Sequence, residues 1–178
     1  MEARDFDRAI LDRALVEAAN AARREHALAP LGRQWQLDRA AEEQASHMAL
    51  LFRAEHTNPI AGEHTVSDRI RAVGLDGSRS AENAMMLPLR PAGQGALPPY
   101  TYRTLALAVV GAWLESPGHR RNLLDPGFSL VGTASRVSTG LPGDVRVFSA
   151  LVFLEPLANT LHPTPRDTTV TPKTGRGP

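Results

Sequence analysis

The stretch WLESPGHRRNLLDPG, residues 113–127, joins an apolar segment to a polar turn that carries a histidine. The segment that ends at Trp113, TLALAVVGAW, is apolar on almost every side, which predicts a buried helix. Pro117 and Gly118 predict the end of that helix. His119 follows directly, so we expect its ring to enter the interior; a structural core histidine is the alternative interpretation.

Length and composition predict one α+β domain over residues 1–157, followed by a disordered, Pro- and Thr-rich tail over residues 158–178. The chain has 178 residues, and 20 Lys and Arg balance 19 Asp and Glu, which leaves a net charge of +1. Because the basic residues form no stripe with interleaved aromatics, nucleic acid is not an expected partner.

The chain contains no cysteine, which excludes disulfides and thiolate chemistry. Its charged N-terminus lacks the apolar run of a signal peptide, and no stretch is long enough to span a bilayer. We therefore expect no transmembrane segment, and either a cytoplasmic protein or one that has lost its leader.

Hydrophobic spacing predicts four helices and two strands. The first helix should place Leu11 and Leu15 inward and Arg8, Asp12 and Glu17 outward. Thr65 and Asp68 have the spacing of a capping box at the third helix, and Pro and Gly predict a long loop over residues 87–99. The helices are predicted at residues 5–28, 37–52, 65–74 and 101–116, and the strands at 128–137 and 145–156.

Three residues stand out as candidates for chemistry. His56 precedes the turn formers Asn58 and Pro59, although a solvent-exposed loop histidine would show the same pattern. Glu82 has small and apolar neighbours, so we expect its carboxylate to pair with a histidine or a metal. Since the spacings to His56 and His119 match no local metal motif, only the fold could assemble a site.

Nucleophilic catalysis finds little support. The chain lacks the Gly-x-Ser-x-Gly motif and a glycine-rich phosphate loop. Ser46, Ser80 and Ser116 would act as nucleophiles only beside a histidine, and structural roles fit them better.

Taken together, several segments resemble the CAP superfamily, which unites cysteine-rich secretory proteins, antigen 5 and plant pathogenesis-related 1 proteins, in its cysteine-poor, bacterial SCP-like form. The combination of AEN with SPGHR and a downstream Phe-x-x-x-Gly is specific. The matching segments lie at residues 20–31, 41–59, 68–75, 81–83, 113–134 and 147–153.

This resemblance implies a three-layer α-β-α sandwich with a small antiparallel sheet, and a cleft in which His56, Glu82 and His119 hold a divalent ion such as Zn²⁺. A second acidic residue usually lines that cleft. In this chain Ser116 occupies the position of that acidic residue, and Glu115 lies one residue earlier. A shift of one residue on a helix turns the Glu115 side chain by about 100°. We therefore count Glu115 and Ser116 only as cleft candidates. Ala81 and Ala134 replace glycines of the pattern, and the family's disulfides are absent.

The resemblance leaves three functions open. We favour a monomeric binding module whose cleft takes a lipid, a peptide or a cell-envelope fragment. A hydrolase in which His56, Glu82 and His119 activate water is the second hypothesis, and a scaffold with a vestigial site is the third. The family is mostly extracytoplasmic, so the resemblance predicts a secreted or extracellular location.

Overall fold

The computed structural model describes residues 6–60, 62–89, 100–141 and 144–157. Within them, five helices surround a four-stranded sheet. The predicted tail, 158–178, and most of the predicted loop, 90–99, lie outside the described residues. The helices are α1 (Arg8–Glu25), α2 (Trp35–Leu51), α3 (Val66–Ala72), α4 (Tyr102–Glu115) and α5 (Pro117–Leu123). The strands are β1 (Gly32–Arg33), β2 (Gly77–Pro88), β3 (Leu130–Thr139) and β4 (Val145–Pro156).

The sheet has the order β1-β3-β4-β2 and is antiparallel except for the short β1, which pairs parallel with β3. Every residue of β4 from 147 to 154 is buried. Alternate side chains of a strand point to opposite faces, so this run supplies both sides of the core. Leu151 and Phe153 pack towards α1 and α4, whereas Phe148 and Val152 pack towards α2 and α3. The three-layer α-β-α sandwich is confirmed.

The apolar patterns predicted the helices well. The helix ending at Glu115 buries Leu105, Val109 and Trp113, although Leu107 on its outer face is 50% exposed. Both hydrogen bonds of the predicted capping box at Thr65 and Asp68 are present.

Local structure differs from the predictions in three places. Residues 87 and 88 belong to β2 rather than to a loop, and β2 itself was not predicted, because small and polar residues hide its alternation. Helix α4 does end before Pro117, as expected, but α5 was not predicted; Pro117 occupies its first turn, where the missing N–H costs nothing. Asp12, expected on the solvent side of α1, is only 7% exposed.

Arg23, which is 1% exposed, ties α1 to the chain that follows α5. Its guanidinium donates to the backbone oxygens of Leu123, Asp125 and Phe128 at 2.9, 2.9 and 3.2 Å. These bonds satisfy a buried charge with carbonyl groups and fix the end of α5. No described helix has the length and apolar character needed to cross a membrane.

Gly132 provides a test of how tightly α2 packs on the sheet. A Cβ built on Gly132 would lie 2.0 Å from the backbone carbon of Leu37 and 2.2 Å from the amide of Asp38. We expect Gly132→Ala to lower the free energy of unfolding by at least about 1–3 kcal/mol, because backbone atoms have to move. Chemical denaturation measures this change.

Gly111→Ala is the matched control, because a Cβ there meets nothing within 4 Å. In the middle of α4 it should leave stability unchanged or raise it by up to about 1 kcal/mol. Equal effects of the two substitutions would contradict the close approach of α2 to β3.

Candidate functional site

His56 lies between α2 and α3 on a segment that buried amides hold in place. Gln44, fully buried in α2, donates from Nε2 to the backbone oxygen of Glu55 at 2.6 Å. Asn58, also fully buried, accepts from the amide of Ile60 at 3.1 Å, which forms the expected turn. The backbone on both sides of His56 is therefore fixed.

Glu82 anchors the His56 ring from β2. The carboxylate is 3% exposed, and its Oε1 lies 3.0 Å from Nδ1 of His56. Its Oε2 accepts from Nη2 of Arg69 at 2.5 Å, and the Arg69 side chain is completely buried. With Nδ1 directed to Glu82, Nε2 of His56 is the ring nitrogen left for a ligand.

His119 reaches the same place from α5, on the other side of β2. The His56 and His119 ring centroids are 6.0 Å apart, with planes inclined by 58°. Asn83 donates from Nδ2 to the backbone oxygen of His119 at 2.9 Å, and Asn122 donates to Oδ1 of Asn83 at 3.0 Å. Nδ1 of His119 is buried and, among the described residues, has no hydrogen-bond partner.

The two imidazoles have opposite electrostatic surroundings. The hydrogen bond to Glu82, with the charge of that carboxylate, raises the pKa of His56 against a smaller opposing effect of burial. Burial lowers the pKa of His119, and the nearby charge of His56 lowers it further. Because the two pKa shifts have opposite directions, His56 keeps its proton to a higher pH than His119 does.

An open groove of about 340 Å³ begins at His56 and Glu82. Its walls come from Thr57, Thr65, Val66 and Ala81, with His64 and Asn122, and the exposed surface of the groove is mostly apolar. The groove therefore joins an apolar wall to a polar end.

The structure brings together His56, Glu82 and His119, the three residues that the sequence singled out. The other two cleft candidates lie at the junction of α4 and α5. Glu115 is exposed, and Ser116 caps both helices through its backbone, donating to Ala112 and accepting from Arg120. Ser46 and Ser80 hydrogen-bond to Glu42 and Ser67 respectively, which agrees with structural roles.

Sequence reasoning missed Arg69, Asn83 and Asn122. Arg69 falls on a short amphipathic helix, where arginine is ordinarily read as a solvent-facing residue. Asn83 follows Glu82, and recognition of β2 as a strand would have placed it on the opposite face. Asn122, which also donates to the backbone oxygen of Glu82 at 3.3 Å, carries no signal in the sequence.

The ligand set for a divalent ion differs from the one that the resemblance implies. Both Glu82 oxygens are engaged, and the Arg69 charge lies against the carboxylate. Within the described part of the chain, no three His, Asp or Glu side chains are grouped so as to hold a metal. The geometry fits Glu82 as the carboxylate that orients a ligating histidine, with the two imidazoles as the available ligands.

Comparison with known proteins agrees with this architecture. The model of the cysteine-rich secretory protein family, CAP, matches residues 16–152, well over half of the chain. The chain belongs to the CAP family. A comparison with curated protein sequences finds no significant match.

Solved structures of several bacterial proteins share the fold at low sequence identity. An extracellular protein containing an SCP domain from Bacillus anthracis is 20% identical with a TM-score of 0.60; the match covers 83% of this chain and 41% of that one. An outer surface protein from Borrelia burgdorferi is 18% identical with a TM-score of 0.57, over 80% and 91% of the two chains. The CAP domain of enterococcal PrgA is 14% identical with a TM-score of 0.55, over 85% and 64%. The chain thus spans less than half of the Bacillus protein.

The electrostatics of the histidine pair can be tested by NMR. Across a pH series, His56 should titrate above its ordinary value of 6.5 and His119 below it. Glu82→Gln should lower the His56 midpoint, because it removes the charge and weakens the hydrogen bond. An unchanged midpoint would contradict the contact between His56 and Glu82.

The two pKa shifts make the stability of the fold depend on pH in opposite directions. The stabilisation from His56 is complete below pH 6.5 and is lost as pH rises through its raised, folded-state pKa. The contribution of His119 is present above pH 6.5 and is lost as pH falls through its lowered pKa.

Proposed function

We propose that this CAP domain is a binding module for an amphipathic ligand, whose apolar part lies along the groove and whose polar group meets His56. The observation that carries the proposal is the chain of contacts from Arg69 through Glu82 to His56, which presents Nε2 of a half-exposed imidazole at the end of the mostly apolar groove. Ligand sites commonly combine such apolar walls with a few fixed polar groups.

Hydrolysis is the second candidate, and it has less support. Two imidazoles lie close together, one with a raised and one with a lowered pKa, as general acid–base chemistry requires. In the described residues, however, neither ring hydrogen-bonds to a serine or threonine hydroxyl. A hydrolytic reaction would thus have to use water as its nucleophile.

Divalent-metal binding is a separate part of the proposal. His56 and His119 would supply imidazole ligands, and Glu82 would orient His56. A bound Zn²⁺ would supply Lewis-acid polarisation of a carbonyl or phosphoryl oxygen of the ligand. Two protein ligands are fewer than the three or four of most zinc sites, so we expect modest affinity.

We also propose a cellular location and an oligomeric state for the protein. The Bacillus and Borrelia proteins are described as extracellular and outer-surface proteins. On that likeness we propose an extracytoplasmic location for this chain, and we propose that it acts as a monomer. Cell fractionation and light scattering test these two points.

The amphipathic ligand is tested by solvent extraction of the purified protein and mass spectrometry of the extract. We expect an apolar molecule that co-purifies with the wild type and is depleted in Thr57→Trp, which places an indole at an exposed position of the groove wall. Leu50→Ala, at a residue that is 84% exposed and outside the groove, is the control. Clean extracts from the wild type, or equal yields from both variants, would count against the proposal.

Metal binding is tested by calorimetric titration of Zn²⁺ into chelator-treated protein. The joint replacement His56→Ala and His119→Ala should abolish binding. Glu82→Gln should weaken it by roughly 10–100-fold, as expected for a residue that orients a ligand. If the wild type shows no heat of Zn²⁺ binding, the proposal of a metal site is wrong, and the proposal of an amphipathic ligand is unaffected.

A further inference from the structure

A second groove, of about 350 Å³, lies between the first turn of α2 and helix α3. Trp35, Glu63 and Arg69 line it, together with Arg39 and Glu43. Its size falls within the range of about 300–1,000 Å³ that is usual for small-molecule sites. Of these residues, only Arg69 also contacts the histidine cleft, through Glu82.

Trp35 gives this groove a flat apolar surface. The residue begins α2 and is 64% exposed, whereas Trp113, the other tryptophan of the chain, is completely buried. A large aromatic side chain loses favourable burial when it stays in water, unless a partner covers it. The exposed indole is therefore a candidate stacking surface for a ligand.

Two polar side chains that line the same groove have unused hydrogen-bonding capacity. Arg69 donates from Nη2 to Glu82 and from Nη1 to the backbone oxygen of Glu63 at 3.3 Å, but its Nε has no partner in the described structure. Oε2 of Glu63 is likewise buried without a partner there. Buried groups of this kind are costly, so a donor and an acceptor on one groove point to a ligand with both functions.

The charges along the groove favour a neutral ligand. Arg39 and Arg69 oppose Glu43 and Glu63, and Arg69 is further neutralised by Glu82. This balance gives neither a free anion nor a free cation an advantage. A hydroxyl group both donates and accepts hydrogen bonds. It can therefore donate to Oε2 of Glu63 and accept from Nε of Arg69, after a small rotation of the half-buried Glu63 side chain.

We propose that the Trp35 groove binds a neutral sugar ring, stacked on the indole with its hydroxyl groups directed to Glu63 and Arg69. The proposal is independent of the amphipathic ligand at His56. A charged peptide is disfavoured by the balanced charges, and a lipid chain is disfavoured by the four ionised side chains beside the indole.

The surroundings indicate a chain of sugars rather than a single ring. Arg39 and Glu43 also line the neighbouring groove of about 420 Å³, which continues towards Arg33 and Asp12. Asp12 is 7% exposed, and its Oδ1 is another buried oxygen without a hydrogen-bond partner among the described residues. An oligosaccharide that begins at Trp35 would extend along this second stretch, so affinity should rise with chain length.

The test uses the β-1,4-linked tetramers of glucose and of N-acetylglucosamine, with the monosaccharides for comparison. Calorimetry measures affinity, and acrylamide quenching of tryptophan fluorescence reports on Trp35, because Trp113 is buried. We expect at least one tetramer to bind more tightly than its monosaccharide and to shield Trp35 from acrylamide.

Substitution then separates stacking from other contacts. Trp35→Ala should weaken binding about 10-fold or more, whereas Trp35→Phe, which keeps an aromatic face, should retain most of the affinity. Leu50→Ala, near the opposite end of α2, should bind as the wild type does. Since Trp35 is exposed, its replacement leaves the core intact.

Three results would overturn the proposal. The first is the absence of binding and of shielding for both tetramers at millimolar concentration. The second is binding that survives Trp35→Ala but is lost with His56→Ala and His119→Ala, which would assign the sugar to the histidine cleft. The third is shielding of Trp35 by a charged peptide but by neither sugar, which would assign the groove to a peptide.

Discussion

The candidate site depends on two neighbouring side chains of β2, an edge strand of the described sheet, which point to opposite faces. Glu82 points to one face, where it binds His56 and Arg69, and Asn83 points to the other, where it binds the backbone of His119. Each residue thus anchors one of the two helical layers. The histidines meet across the edge of the sheet because consecutive residues of a single strand hold the segments that carry them.

Burying the polar groups of this site costs free energy, which explains why most of them have polar partners. A carboxylate that is 3% exposed requires compensation, which the buried guanidinium of Arg69 and the imidazole of His56 provide. Asn122 satisfies the backbone oxygen of Glu82 and the side chain of Asn83 at once. The polar groups next to the cleft are therefore mostly engaged, and Nε2 of His56 is left to act outwards.

The sequence predicted the elements whose signals are local, and it failed where the signal is three-dimensional. Periodicity located α1, α2 and α4, and the capping box at Thr65 located α3. The β2 strand escaped because Ser, Ala, Glu and Asn show no apolar alternation when one strand edge carries a polar site. The burial of Asp12 and Arg69 was equally hidden, because it depends on how the helices pack and not on a local pattern in the sequence. Local sequence context singled out His56, Glu82 and His119 one by one, but only the family resemblance joined them into one cleft, because their spacings match no local motif.

Helix α3 shows how closely the fold and the site are connected. Seven residues form too short a helix to be stable in isolation, so its position depends on its capping box and on the contact of Arg69 with Glu82. The same helix supplies Val66 to the wall of the histidine groove, and Arg69 also lines the Trp35 groove. One buried guanidinium therefore holds the carboxylate that binds His56, fixes a short helix on the sheet and lines the Trp35 groove. A lysine could not replace it, because a single ammonium group cannot reach Glu82 and the backbone of Glu63 with the planar geometry of a guanidinium.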